Sequence, residues 1–225
     1  MTYGVNIFSN NGKLAYSSQY AAYQFLQKIS VATNAQGVAT TTVTSRNAPL
    51  VFVEKYSTGF PCVLYITQSG TTWTIAFSGG IASSHTATAY IFTVPSTPAS
   101  SQYGINIFDN SGNVLFTNKD RTLKINGYHN TTTFNGNSSN MPKIETLTSG
   151  TIPASWAVNC PNLGWFTSTV GGTIKPVSAI GASSNSSTQV SFSNGCNIYT
   201  GIAPVDDFFI RGNLYFMFID TSLYQ

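Results

Sequence analysis

Residues 3–12 read Tyr-Gly-Val-Asn-Ile-Phe-Ser-Asn-Asn-Gly, and residues 103–112 read Tyr-Gly-Ile-Asn-Ile-Phe-Asp-Asn-Ser-Gly. The likeness runs on past the glycine, with Leu14 matched by Val114 and Tyr16 by Phe116. A repeat spaced by 100 positions is too long for a solenoid, whose units are a few tens of residues. It constrains the chain to two related units in tandem. Within each copy, Tyr3, Val5 and Ile7 alternate with Gly4, Asn6 and Phe8, a period of two that sets out the faces of a strand. Asn10-Asn11-Gly12 and Asn110-Ser111-Gly112 then supply residues that accept positive φ, and a second apolar run follows each. Strand, Asn/Gly turn, strand is a β-hairpin, so each unit is expected to open with one.

The Tyr-Gly-x-x-aliphatic-aromatic-x-x-x-Gly opening resembles small β-rich tail and virion structural proteins of bacteriophages, in which the second strand often runs into an Asp-Arg pair. Asp120-Arg121 in the second copy fits that pattern, whereas Ser18-Gln19-Tyr20 in the first departs from it. The resemblance covers the two hairpins and implies a virion role, at the tail, without catalytic residues.

The rest of the chain is read from its own pattern. Charged residues make up only 8% of it, against roughly 25% in ordinary soluble domains. Ser, Thr, Asn and Gly stand in their place, giving a polar but nearly uncharged surface. Such a surface suits an assembled particle, because few charges need desolvating at its contacts. Short runs of high β-propensity recur at 40–44, 49–53, 61–67, 73–77 and 86–94 in the first unit. Residues 20–30 admit either a helix or a strand, and the strand is favoured by the company it keeps. In the second unit strands are expected at 123–125, 146–152, 155–158, 164–170, 174–180, 188–192 and 197–200. The run 214–219 is apolar on both faces and should be a central buried strand. The expected fold is all-β: two tandem related antiparallel β-sandwich domains, 1–96 and 103–225, joined by a stiff linker at 97–102 within a Pro- and Ser-rich stretch.

Little in the chain speaks of catalysis. His85 and His129 fall in Ser/Thr/Asn-rich segments and are expected as exposed loop residues. The carboxylates are dispersed apart from Asp206-Asp207, and neighbouring residues on a strand point to opposite faces. No nucleophile elbow, zinc-protease helix, phosphate loop or dinucleotide fingerprint occurs. The expectation is therefore a non-enzymatic protein with no cofactor and no metal. Residues 126–141 form a polar stretch holding Tyr128, His129 and Phe134, an aromatic group set among amides that could take the apolar face of a sugar ring. Trp156 and Trp165 read as core residues. Lys119, Arg121 and Lys124 are the nearest approach to a basic cluster, and three cations make an edge blunted by charge rather than a nucleic-acid stripe.

Three cysteines, Cys62, Cys160 and Cys196, are expected as reduced thiols, with the pairing of Cys160 and Cys196 left open. The N-terminal residues carry no leader pattern, and no apolar run approaches the roughly 20 residues of a membrane span. These readings imply a virion component of a tailed bacteriophage, assembled in the host cytoplasm, at the tail tip, baseplate or fibre attachment. Its partners would be other tail or virion proteins and further copies of itself, with no nucleic acid and no membrane insertion. Two alternatives stand beside it: a receptor-binding module that takes a host surface glycan, and a capsid or collar decoration protein.

Overall fold

The structure is a computed structural model that describes residues 6–8, 14–17, 22–94, 105–109, 111–112, 114–117, 121–130, 143–161, 164–166, 177–199, 208–210 and 215–225. The chain is all-β. Among the described residues there is no α-helix, and one 3-10 turn, Thr221–Tyr224, closes the chain. The first half carries β1 (Asn6–Phe8), β2 (Leu14–Ser17), β3 (Gln24–Ala32), β4 (Ala39–Thr44), β5 (Leu50–Glu54), β6 (Cys62–Ser69), β7 (Thr72–Ser78) and β8 (Thr86–Thr93). The second half carries β9 (Asn106–Phe108), β10 (Val114–Thr117), β11 (Gly127–Asn130), β12 (Lys143–Thr146), β13 (Ser149–Gly150) and β14 (Trp156–Asn159). It continues with β15 (Gly164–Phe166), β16 (Val177–Ser184), β17 (Gln189–Tyr199), β18 (Phe208–Ile210) and β19 (Tyr215–Asp220).

The repeated segments do fold alike. In β1–β2 the partners are Asn6 with Ser17, Ile7 with Tyr16 and Phe8 with Leu14. In β9–β10 they are Asn106 with Thr117, Ile107 with Phe116 and Phe108 with Val114, and both hairpins shift register at the same step. Gly112 has φ +79, the left-handed value that glycine adopts without strain, and Asp109 closes the turn by accepting from the N–H of Ser111 and Gly112.

The likeness extends well beyond the hairpins. In the first half one layer runs β3-β8-β5 and the other β4-β7-β6; in the second half the layers contain β11-β19-β14 and β12-β17-β16. These strands follow one another along the chain in the same order in both halves, with β13, β15 and β18 added to the second. Each half closes on its own apolar core. Val51, Val53, Ala89 and Ile91 face Ile75, Phe77, Val43 and Val63 in the first, and Val158, Phe216 and Phe218 face Ile180, Ala182, Val190 and Phe192 in the second. Within the run 214–219, β19 is central, between β11 and β14, with Phe216, Phe218 and Ile219 fully buried, while Tyr215 is exposed and Met217 partly buried. From Gln24 on, the segment read as helix or strand is the strand β3, whose alternating burial is that of a half-covered sheet edge.

What joins the halves is a shared sheet. β5 and β14 pair antiparallel, Val53 with Val158 and Glu54 with Ala157, so seven strands run in one sheet in the order β13-β11-β19-β14-β5-β8-β3. Asn159 strengthens the join by donating from Nδ2 to the Val51 carbonyl at 2.8 Å. In the opposite layer, the N–H of Val63 donates to Cys160 O at 2.7 Å and that of Ala182 to Pro61 O at 3.3 Å. The outer face of the long sheet, Phe52, Tyr90, Phe92, Ala157 and Ile219, is roofed by Tyr224 and by partly buried Tyr23, Phe25 and Leu123. The expected linker at 97–102 lies outside the described residues.

Candidate functional site

Two of the three aromatic residues singled out from sequence are described, and they lie on a strand. Gly127–Asn130 is β11, paired with β19 on one side and β13 on the other. Alternation sends Tyr128 outward and His129 inward. Tyr128 is 39% exposed. His129 is buried, which corrects the expectation of an exposed loop residue. Its Nε2 lies 2.6 Å from Glu145 Oε2, and its ring packs 5.2 Å from Phe216 and 6.1 Å from Phe192. The Thr148 hydroxyl sits 3.5 Å from Nδ1, so both ring nitrogens are engaged. This is an inter-layer strut, since Glu145 belongs to β12. A histidine with both nitrogens occupied and its ring in the core cannot meet a ligand at the surface. Phe134 lies outside the described residues, as do Asp206 and Asp207.

His85 stays in a loop, between β7 and β8, but half-buried: Nδ1 approaches Ser83 O at 2.8 Å and the ring stacks on Tyr56 at 4.5 Å. Trp156 is partly buried against the second core, edge-on to Phe218 at 5.5 Å. Side-chain placement of Trp165 is outside what the structure describes. Arg121 and Lys124 are exposed beside Leu223 and Tyr224, and Arg121 Nη1 donates to the Leu223 carbonyl. Lys119 lies outside the described residues. The expected strand at 123–125 does not form. Residues 121–123 instead lie along the start of β3, the Phe25 N–H donating to Arg121 O at 2.8 Å and the Leu123 N–H to Tyr23 O at 2.9 Å.

One cleft unites side chains from both halves. At the end of the β5–β14 junction, a space of about 400 Å³ is bordered by Glu54, Lys55, Ser57, Ser155, Trp156 and Gln225. Ser57 has φ +50, a strained value for a residue with a Cβ. Glu54 accepts from the Tyr90 hydroxyl at 2.7 Å, and burial, followed by that bond, raises the phenol above its ordinary pKa. Lys28, opposite Tyr90 in the register, stands 5.3 Å over its ring and is raised in turn, first by its bond to Tyr90. The cleft offers the hydroxyls of Ser57, Ser155 and Thr221, the Glu54 carboxylate, the Lys55 side chain and the Trp156 indole.

All three cysteines are free thiols and buried. Cys160 and Cys196 are not paired, and Cys196 instead neighbours Cys62. Among the described residues no group of three or more His, Cys, Asp or Glu could hold a metal, and no helix is long and apolar enough to cross a membrane. No protein-family model, curated protein or solved structure matches the chain.

Proposed function

We propose that the chain is a non-enzymatic structural protein of a tailed-bacteriophage virion, at the tail tip, baseplate or fibre attachment, that works by assembling with neighbouring proteins and with copies of itself. The observation that carries this reading is the pair of hairpins, alike in sequence and in register, whose motif resembles phage tail proteins. The surface supports it. Charge is sparse, and Ile105, Phe108, Ile144 and Tyr215 stand about half exposed or more, as residues that meet a neighbour would. The test is immunogold labelling of purified particles with an antibody raised against the chain. Gold confined to the tail is the expected result; gold on the capsid or collar moves the protein to a decoration role; unlabelled particles that lack the chain by mass spectrometry overturn the virion assignment.

The second reading, binding of a host surface glycan, draws on half-exposed Tyr128 and on the polar cleft at Trp156. Removing residues 131–141 tests the polar stretch without cutting β11, whose loss would expose β19. Unchanged adsorption, together with an empty glycan array, removes this reading and leaves the structural one standing.

A further inference from the structure

Cys62 begins β6 and Cys196 lies in β17, so each belongs to the layer opposite the shared sheet, one in each half. The two are fully buried in one small cluster, walled by partly buried Val38 and Leu64. The two side chains pack against each other, and the buried Ser78 side chain lies close enough to Cys196 to act on its titration. Ser78 is fixed in turn by the Gly80 N–H, which donates to its Oγ at 3.0 Å. We propose that Cys62 and Cys196 are an oxidant-responsive pair that closes to a disulfide, clamping β6 to β17 and so one half of the chain to the other.

The surroundings assign the roles. The neighbouring Cys62, and more weakly Ser78, hold the Cys196 thiol below its ordinary pKa even though burial opposes this. Cys62 is held well above by Cys196 and by burial. Cys196 is therefore the attacking sulfur and Cys62 the resolving one. The third cysteine makes an internal control. Burial pushes Cys160 up, and its thiol donates to the Pro161 carbonyl at 3.4 Å.

Hydrogen peroxide is an oxidant small enough for so enclosed a pair. The Cys196 thiolate attacks one peroxide oxygen and the O–O bond breaks. The departing hydroxide takes up the proton that the Cys196 thiol had released, leaving as water, and Cys196 becomes a sulfenic acid. The Cys62 sulfur then attacks the Cys196 sulfur, the S–O bond breaks, and the hydroxyl leaves as a second water with the Cys62 proton. Two thiols are oxidised, one peroxide is reduced to two waters, and nothing else is consumed. A chain folded in a reducing cytoplasm would keep both thiols, and the clamp would close after release.

The test treats the full-length chain with hydrogen peroxide, alkylates it under denaturing conditions, and maps the peptides by mass spectrometry. A second series runs in urea well below the unfolding midpoint, where local opening admits the oxidant. The expected product is a single peptide pair joining Cys62 to Cys196, the loss of two alkylatable thiols of the three, and a higher, reductant-sensitive melting temperature. Cys160→Ser should retain the bridge and Cys196→Ser abolish it. A bridge to Cys160, sulfinic acid on separate cysteines, or three intact thiols in both series would overturn the proposal, and the first two need no variant to be seen.

Discussion

The backbone N–H of Leu123 donates to the carbonyl of Tyr23 at 2.9 Å, so two positions a full repeat apart bond to each other. Around them the pairing is reciprocal: Gln24 bridges Thr122, and Phe25 bonds Arg121. At the other end of the join, antiparallel β5 and β14 place corresponding strands of the two halves side by side. Contacts of this form, in which equivalent segments meet one another in opposite directions, are those of a two-fold dimer interface. Here a single chain holds both partners, and the roof over the join is Tyr224.

Tyr224 should therefore matter more than its place near the end of the sequence suggests. Its ring is buried against Phe25 and Phe92, at 5.5 and 4.8 Å, and its hydroxyl accepts from the Lys124 N–H at 2.8 Å and donates to Thr122 O at 3.2 Å. Tyr224→Phe loses the two hydrogen bonds and should cost about 1–2 kcal/mol. Tyr224→Ala also empties the roof and should cost about 3–5 kcal/mol. Urea melts of the two variants give the ranking directly. An alanine variant as stable as the parent would mean that the roof is not what covers this face.

The seam in the opposite layer is tested at Gly181. A Cβ there would fall on the Phe60 carbonyl oxygen, and its nearest neighbours are all backbone of Phe60 and Pro61, with no flexible side chain among them to yield. Gly181→Ala should cost about 1–3 kcal/mol through overpacking, and it should loosen the Ala182–Pro61 contact. Gly112 makes a useful contrast, because its φ is +79 and nothing lies within 4 Å. Gly112→Ala pays backbone strain alone, about 1 kcal/mol. Hydrogen exchange at Ala182 and Val63 should rise in the first variant and stay unchanged in the second.

His129 and Glu145 should couple. Removing either leaves the other partly buried without the partner it meets at 2.6 Å, a loss of about 1–3 kcal/mol for each single alanine variant. The double variant should cost less than the two together, and thermal melts of all four proteins measure the difference. Strict additivity would make the pair incidental. Tyr128→Ala, on the outward side of the same strand, should leave stability nearly unchanged.

The hairpins, β3 to β8 and the buried β19 were legible because alternation and turn residues are local signals, strong at Trp73–Thr74–Ile75–Ala76–Phe77 and around Gly112. The run 214–219, apolar on both faces, announced a central strand but overstated its cover, since Tyr215 stays exposed and Met217 is only partly buried. Residues 127–130 were misjudged for a physical reason. Gly-Tyr-His-Asn carries almost no apolar alternation of its own, and it becomes a strand only because β19 presents a free edge to it. His129 then looks like a loop residue until Glu145, on another strand of the other layer, supplies its partner. The same holds for the join of the halves: Val53 opposite Val158, and Cys62 beside Cys196, are relations across long stretches of chain that no short window contains.

Alkaline pH offers a last test of the outer face. Burial raises the phenols of both Tyr90 and Tyr224, the first helped by the carboxylate of Glu54 and the second by nearby Asp220, while Lys28 and Arg121 pull the other way. A phenol whose pKa is higher when folded than when unfolded favours folding fully while both states stay protonated. The unfolded chain begins to lose its proton near pH ~10, the ordinary tyrosine value, and from there the folded state is progressively disfavoured until the folded phenol also titrates. Lys28, raised by its bond to Tyr90, acts in the same direction over the same range. Stability measured by urea unfolding should thus hold level from pH 7 to about 9 and fall above about 10. Tyr90→Phe and Tyr224→Phe should each start from a lower plateau but decline less steeply, because each removes one titrating group. Equal slopes in parent and variants would show that these two phenols do not drive the alkaline loss.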